Sequence, residues 1–141
     1  MKKHTWELLR RLSSESRLPW ICGGDFNENL EPNAKVGGRF CYLDAMAEFR
    51  QALSDCKLID MGFSGLPFTW SNRRFGSTNL IEERLDRFLC SCSWQDLHFS
   101  SSVSHLTSWA SDHCLVLLEV RDQFMSGLYK SVRPRFHYEA F

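Results

Sequence analysis

The chain carries no excess of either charge: its 17 Lys and Arg are matched by 17 Asp and Glu. Proteins that coat nucleic acid through bulk electrostatics show a marked positive excess, so the balance argues against that mode while leaving room for a local basic patch. No apolar run is long enough to span a bilayer, which leaves no membrane partner to consider. No C-x-x-C pair occurs among cysteines 22, 41, 56, 90, 92 and 114, and Cys90 and Cys92 stand too close together for an ordinary zinc knuckle. No signal peptide precedes them. Scattered, mostly buried thiols in a reducing compartment are therefore expected, in a soluble intracellular protein, nuclear or cytoplasmic. No internal repeat is visible.

What the chain does have is globular material. Hydrophobic residues make up 43% and charged residues 24% of 141 positions, and eleven Phe with five Trp supply enough apolar surface for one core. Periodicity predicts a helix over His4–Ser16, stopped ahead of Pro19, then a buried strand Trp20–Cys22 closed by Gly23 and Gly24. A polar loop follows over 25–40. A second helix is expected over Leu43–Cys56, with Met46, Phe49, Ala52 and Leu53 as its apolar stripe. Leu58-Ile59 reads as a strand. Phe68–Trp70 and Leu80–Leu89 read as hairpin arms around a polar tip holding Arg73, Arg74 and Gly76, and Val103–Leu106 and Cys114–Val120 as two more strands. This order predicts a layered α/β domain over residues 1–120, with 121–141 as a linker-like tail.

Three short clusters carry chemistry: Gly24-Asp25-Phe26-Asn27, Arg84-Leu85-Asp86-Arg87-Phe88 and Ser111-Asp112-His113. Each falls at an expected strand edge, where α/β sheets present site residues. Attack of water on a phosphodiester needs a base for the water proton and positive charge for the phosphate oxygens. A histidine serves as that base when a carboxylate fixes its tautomer. Further carboxylates suit a hard ion such as Mg²⁺, and an asparagine amide donates to a phosphate oxygen without adding negative charge. Asp25, Asn27, Asp86, Asp112 and His113 make up that inventory.

Each cluster also has a plainer reading. Asp-Phe-Asn after two glycines, taken alone, is more often a turn than a site. Asp86 between two arginines serves as a surface ion pair, and a lone histidine is more often structural. Trp70 reads first as a sheet-packing aromatic and second as a stacking surface, and Arg73 and Arg74 as phosphate contacts or a solvated turn. Glu82 and Glu83 read as exposed charges, and His98 and His105 as structural or exposed. The ordered occurrence of all three clusters favours a site.

That ordered set resembles the endonuclease/exonuclease/phosphatase (DNase I-like) superfamily. WICGGDFNEN (20–29), Gly37-Gly38-Arg39, GFSGLPFTWSN (62–72), ERLDRFL (83–89) and SDHCLVLL (111–118) are similar to the endonuclease domain of plant-type non-LTR retrotransposon polyproteins. The tail 133–141 resembles the bridge towards a reverse transcriptase. The resemblance implies a four-layer α/β sandwich of which this chain is the C-terminal half, the incomplete remainder of a domain whose first half bears a metal-binding glutamate. It implies Mg²⁺-dependent phosphodiester hydrolysis in DNA, with Mn²⁺ as an alternative ion. Asp25 would position the water or support the leaving group, Asn27 would hold the phosphate, Asp86 would orient His113 as base or phosphate contact, and Asp112 would lie at the metal. RNA or a phosphorylated small molecule are alternative substrates within the superfamily. Outside it stand two readings without turnover: an inactive retroelement-derived fragment, and an interaction module pairing an exposed sheet face with another chain.

Overall fold

The structure, a computed structural model, describes residues 2–40 and 42–121. Helix α1 (Lys2–Glu15) presents Trp6 and Leu9 to helix α2 (Leu43–Cys56), which answers with Phe49, Ala52, Leu53 and Cys56. The two lie on a sheet of β1 (Ile21–Asp25), β7 (Asp86–Ser91) and β3 (Leu58–Asp60), all antiparallel with β7 central. Leu58 and Leu89 complete this core, and Trp6 stacks on Phe49 with ring centroids 4.5 Å apart. Lys57 ends α2 in the left-handed conformation, its N–H bonded back to the Leu53 and Ser54 carbonyls.

A second small sheet joins β2 (Lys35–Val36), β6 (Glu82–Glu83) and β5 (Trp70–Ser71). A third joins β4 (Ser64–Gly65), β8 (Ser102–Leu106) and β9 (Leu115–Glu119), with β4 parallel and β9 antiparallel to β8. The short helix α3 (Cys92–Leu97) follows β7, its Trp94 N–H capped by the Ser91 hydroxyl. The mixed α/β architecture agrees with the expected fold class.

Three local expectations need correction. Gly23 and Gly24 lie inside β1 rather than in a loop after it. Gly23 stands opposite Phe88 on β7, and a Cβ there would come within 2.3 Å of the Phe88 ring, so glycine lets the aromatic lie flat on the strand. The expected single arm Leu80–Leu89 is two strands, broken at Arg84-Leu85. Arg84 and Arg87, on either side of the break, both reach Asp60, while Asp86 reaches His113. Helix α3 had no sequence reading. Glu82 and Glu83 are half-buried, because Glu83 takes hydrogen bonds from Lys35 Nζ (2.7 Å) and Asn29 Nδ2 (2.8 Å).

Both guanidiniums of the RLDR segment converge on Asp60: Arg84 at 2.8 Å and Arg87, only 2% exposed, at 2.7 Å. Arg84 also lies over the Phe63 ring, which stacks on buried His105. His105 Nδ1 lies 2.7 Å from the Leu66 carbonyl, and the His98 ring packs against Trp94. Cys56 and Cys90 are buried, Cys22 and Cys114 half-buried and Cys92 exposed, all as free thiols. Cys41 and the tail from 122 onward lie outside the described residues.

Candidate functional site

All three clusters meet at one end of the sheets. Asp25 closes β1 directly opposite Asp86, which opens β7. The ladder runs on one step further, with Phe26 N–H donating to the Leu85 carbonyl. Beyond it the chain turns: the Asp25 carboxylate accepts from the Asn27 backbone N–H at 2.8 Å and from its Nδ2 at 2.7 Å. Asn27 adopts a φ of 52°, a conformation asparagine tolerates better than most residues. The turn reading and the site reading of this cluster are thus compatible, since the turn turns the amide back onto the carboxylate and leaves one amide hydrogen for a ligand.

His113 comes to Asp86 from the far side of the chain. Its Nδ1 lies 2.8 Å from Asp86 Oδ2. An ionised carboxylate only accepts, so opposite it Nδ1 carries the proton and Nε2 is left as the accepting nitrogen. Burial by itself pulls the imidazole towards its neutral form. The hydrogen bond and charge of Asp86, with the charges of Asp25 and Asp112, outweigh this and raise its pKa above the usual value. Asp112 is exposed and accepts from the Trp70 indole N–H at 2.9 Å. That bond, ahead of the nearby charges of His113 and Arg73, holds the carboxyl below the usual carboxylate range.

The residues that place these groups were not legible as such. Thr69 is fully buried, and its hydroxyl accepts from the Leu85 and Asp86 N–H groups at 2.9 and 3.0 Å. The Thr69 carbonyl accepts from Cys114 N–H at 2.7 Å, and Ser71 N–H donates to the Asp112 carbonyl at 3.0 Å. The Phe-Thr-Trp-Ser segment therefore splints the start of β7 to the Ser-Asp-His turn. A bridge between Trp70 and His113 and the Ser111 hydroxyl bond to His113 N–H complete the splint. A small hydroxyl between two aromatics was the one sequence signal available. Arg73 donates to the Trp109 and Ser111 carbonyls, so it ties the hairpin tip to this turn. A cleft of about 510 Å³ opens beside His113 and Asp112, between the hairpin and the 107–111 segment.

The profile of the Endonuclease/Exonuclease/phosphatase family matches residues 2–113. The chain belongs to that family. Among solved structures it is similar to the endonuclease domain of TRAS1, a telomere-specific non-LTR retrotransposon, with a TM-score of 0.65 at 20% identity. The match covers 86% of this chain and 52% of that one, so the chain spans about half the length of that solved structure. At this identity the likeness establishes the DNase I-like fold, and it agrees with the retroelement resemblance read from sequence. No curated protein sequence matches the chain. No helix among the described residues is long and apolar enough to cross a membrane.

The described side chains do not by themselves fit the divalent ion expected of this family. The described residues contain no group of three or more His, Cys, Asp or Glu side chains placed to hold a metal. Asp25 has both oxygens engaged by Asn27, Asp86 faces His113, and Asp112 has one oxygen on Trp70. These residues do not form a metal centre by themselves.

Proposed function

We propose that the chain supplies the proton-transfer part of a phosphodiester-hydrolysing site acting on DNA, in the manner of a retroelement endonuclease. The observation that carries this reading is the 2.8 Å His113–Asp86 pair, whose histidine lines the cleft. His113 Nε2 takes the proton of the attacking water. The water oxygen forms the new bond to phosphorus, the bridging P–O bond breaks, and the imidazolium returns its proton to the departing oxygen. Asp86 holds the ring and supports its charge. Asn27 donates its remaining amide hydrogen to a phosphate oxygen, and Asp25 orients the water or supports the leaving group. A divalent ion, Mg²⁺ or Mn²⁺, would take Asp112 as one ligand and would supply positive charge to the phosphate oxygens.

The test is nicking of supercoiled DNA by chain 1–141, after a cooperative thermal melt has shown that it is folded. Mg²⁺, Mn²⁺ and a chelator are compared for wild type, His113→Ala and Asp86→Asn. Metal-dependent nicking that falls by roughly 10²–10⁴-fold in His113→Ala supports the reading, as loss of a general base should. Folded wild type that nicks with neither ion refutes it for this chain.

A second reading rests on a different observation. Leu106, Leu115 and Leu117 are exposed and share one face of β8 and β9. An interaction module would use this face to hold another chain. It would run as a defined complex on sizing, with or without metal.

A further inference from the structure

We propose that the cleft beside His113 is a stacking seat for one unpaired nucleobase of the substrate strand, gripped by Trp109 and Phe75. The proposal rests on the hydrolytic reading above and narrows its substrate to a locally single-stranded or frayed site. Trp109 is 93% exposed and Phe75 69% exposed, yet both line the same cleft from two separate segments, the 107–111 turn and the hairpin tip. Neither ring stacks on another aromatic among the described residues, so packing within the described chain does not account for them. The apolar lining continues inward through Phe68 to Trp70, whose indole N–H is taken by Asp112. The cleft's volume, about 510 Å³, is in the range of small-molecule sites and ample for one nucleoside.

Arg73 fixes the geometry. Its guanidinium donates to the carbonyls of Trp109 and Ser111, which holds the Trp109 turn against the hairpin and sets a positive charge at the rim. A π-face beside a cation, next to an acid–base pair for phosphate chemistry, is the chemistry that recognises a nucleotide rather than a bare anion. In a duplex each base already spends both faces on its neighbours. An unpaired base has a face to offer, and aromatic stacking accepts it with little regard to sequence.

The test measures binding by chain 1–141 to a short labelled single-stranded oligonucleotide and to the same sequence as a blunt duplex, by fluorescence anisotropy without nicking. Wild type should prefer the single strand. Trp109→Ala should weaken single-strand binding by roughly 5- to 150-fold, the range for loss of one stacked base. Trp109→Phe should stay within a few-fold, and duplex binding should hardly move. Both variants should melt with wild type, since the ring is exposed. Unchanged single-strand binding in Trp109→Ala, equal losses on both ligands, or no single-strand binding by folded wild type would each overturn the proposal. His113→Ala separates the two readings. Trp109-dependent binding without nicking by wild type keeps the seat and discards hydrolysis, whereas His113-dependent nicking with binding indifferent to Trp109 does the reverse.

Discussion

Replacing Thr69 with valine would remove one oxygen and almost no volume, and the structure makes that oxygen answerable for two backbone donors. The Leu85 and Asp86 N–H groups both end on Thr69 Oγ1, at 2.9 and 3.0 Å, in a place where Thr69 is fully buried. They sit at the break between β6 and β7, where the ladder offers no carbonyl in exchange. A buried donor left without a partner costs about 1–3 kcal/mol. Asp86 N–H is half-buried and can recover some hydration, so the expected loss is ~2–4 kcal/mol rather than the full sum. Against a small domain's stability of about 5–15 kcal/mol this is a large fraction, and the melting temperature should fall on the order of 10 °C. Urea denaturation of wild type, Thr69→Val and Thr69→Ser is the assay. Serine keeps the acceptor and loses one methyl, so it should cost about 1 kcal/mol. A valine variant within about 0.5 kcal/mol of wild type, the usual scatter of harmless substitutions, would refute the splint. So would a serine variant as weak as valine.

Other perturbations follow from the same packing. Gly23→Ala places a methyl on the Phe88 ring and should cost about 1–3 kcal/mol in a thermal melt, with Phe88→Leu in the same chain recovering part of it. Asp60→Asn should destabilise by about 3–5 kcal/mol in urea, more than Arg87→Met, because it leaves two guanidiniums facing each other with Arg87 buried, whereas the methionine variant leaves Asp60 paired with Arg84. His105 is held below its usual pKa of 6.5, chiefly by burial and against the pull of its hydrogen bond to Leu66. The unfolded chain therefore takes up the proton first as pH falls. Stability is unaffected by this group above about 6.5 and declines below it, down to the folded-state pKa. Denaturation across that window should show the slope in wild type and its loss in His105→Phe; an equal slope in both would assign it to other groups.

Much of this was legible along the chain. Helix α2 begins and ends where its stripe of Met46, Phe49, Ala52 and Leu53 requires, because period 3.6 is a local property that sequence displays directly. Asp25, Asn27, Asp86, Asp112 and His113 could be picked out because acids, amides and imidazoles at strand ends are few and chemically conspicuous. What sequence order could not display was which of them touch. Asp86 and His113 are 27 residues apart, and the Thr69–Ser71 segment joins their two stretches, through the Thr69 hydroxyl on the β7 side and through backbone groups that every residue type carries on the His113 side. The two glycines in β1 show the same limit. Local propensity reads Gly-Gly as a loop, and only the Phe88 ring across the sheet gives a reason for strand. Sequence by itself determined the periodic elements and the chemical inventory. Tertiary structure alone decided the pairing of acid with base, the Arg84 and Arg87 convergence on Asp60, and the aromatic cleft, because burial and hydrogen-bond satisfaction are set by residues distant along the chain.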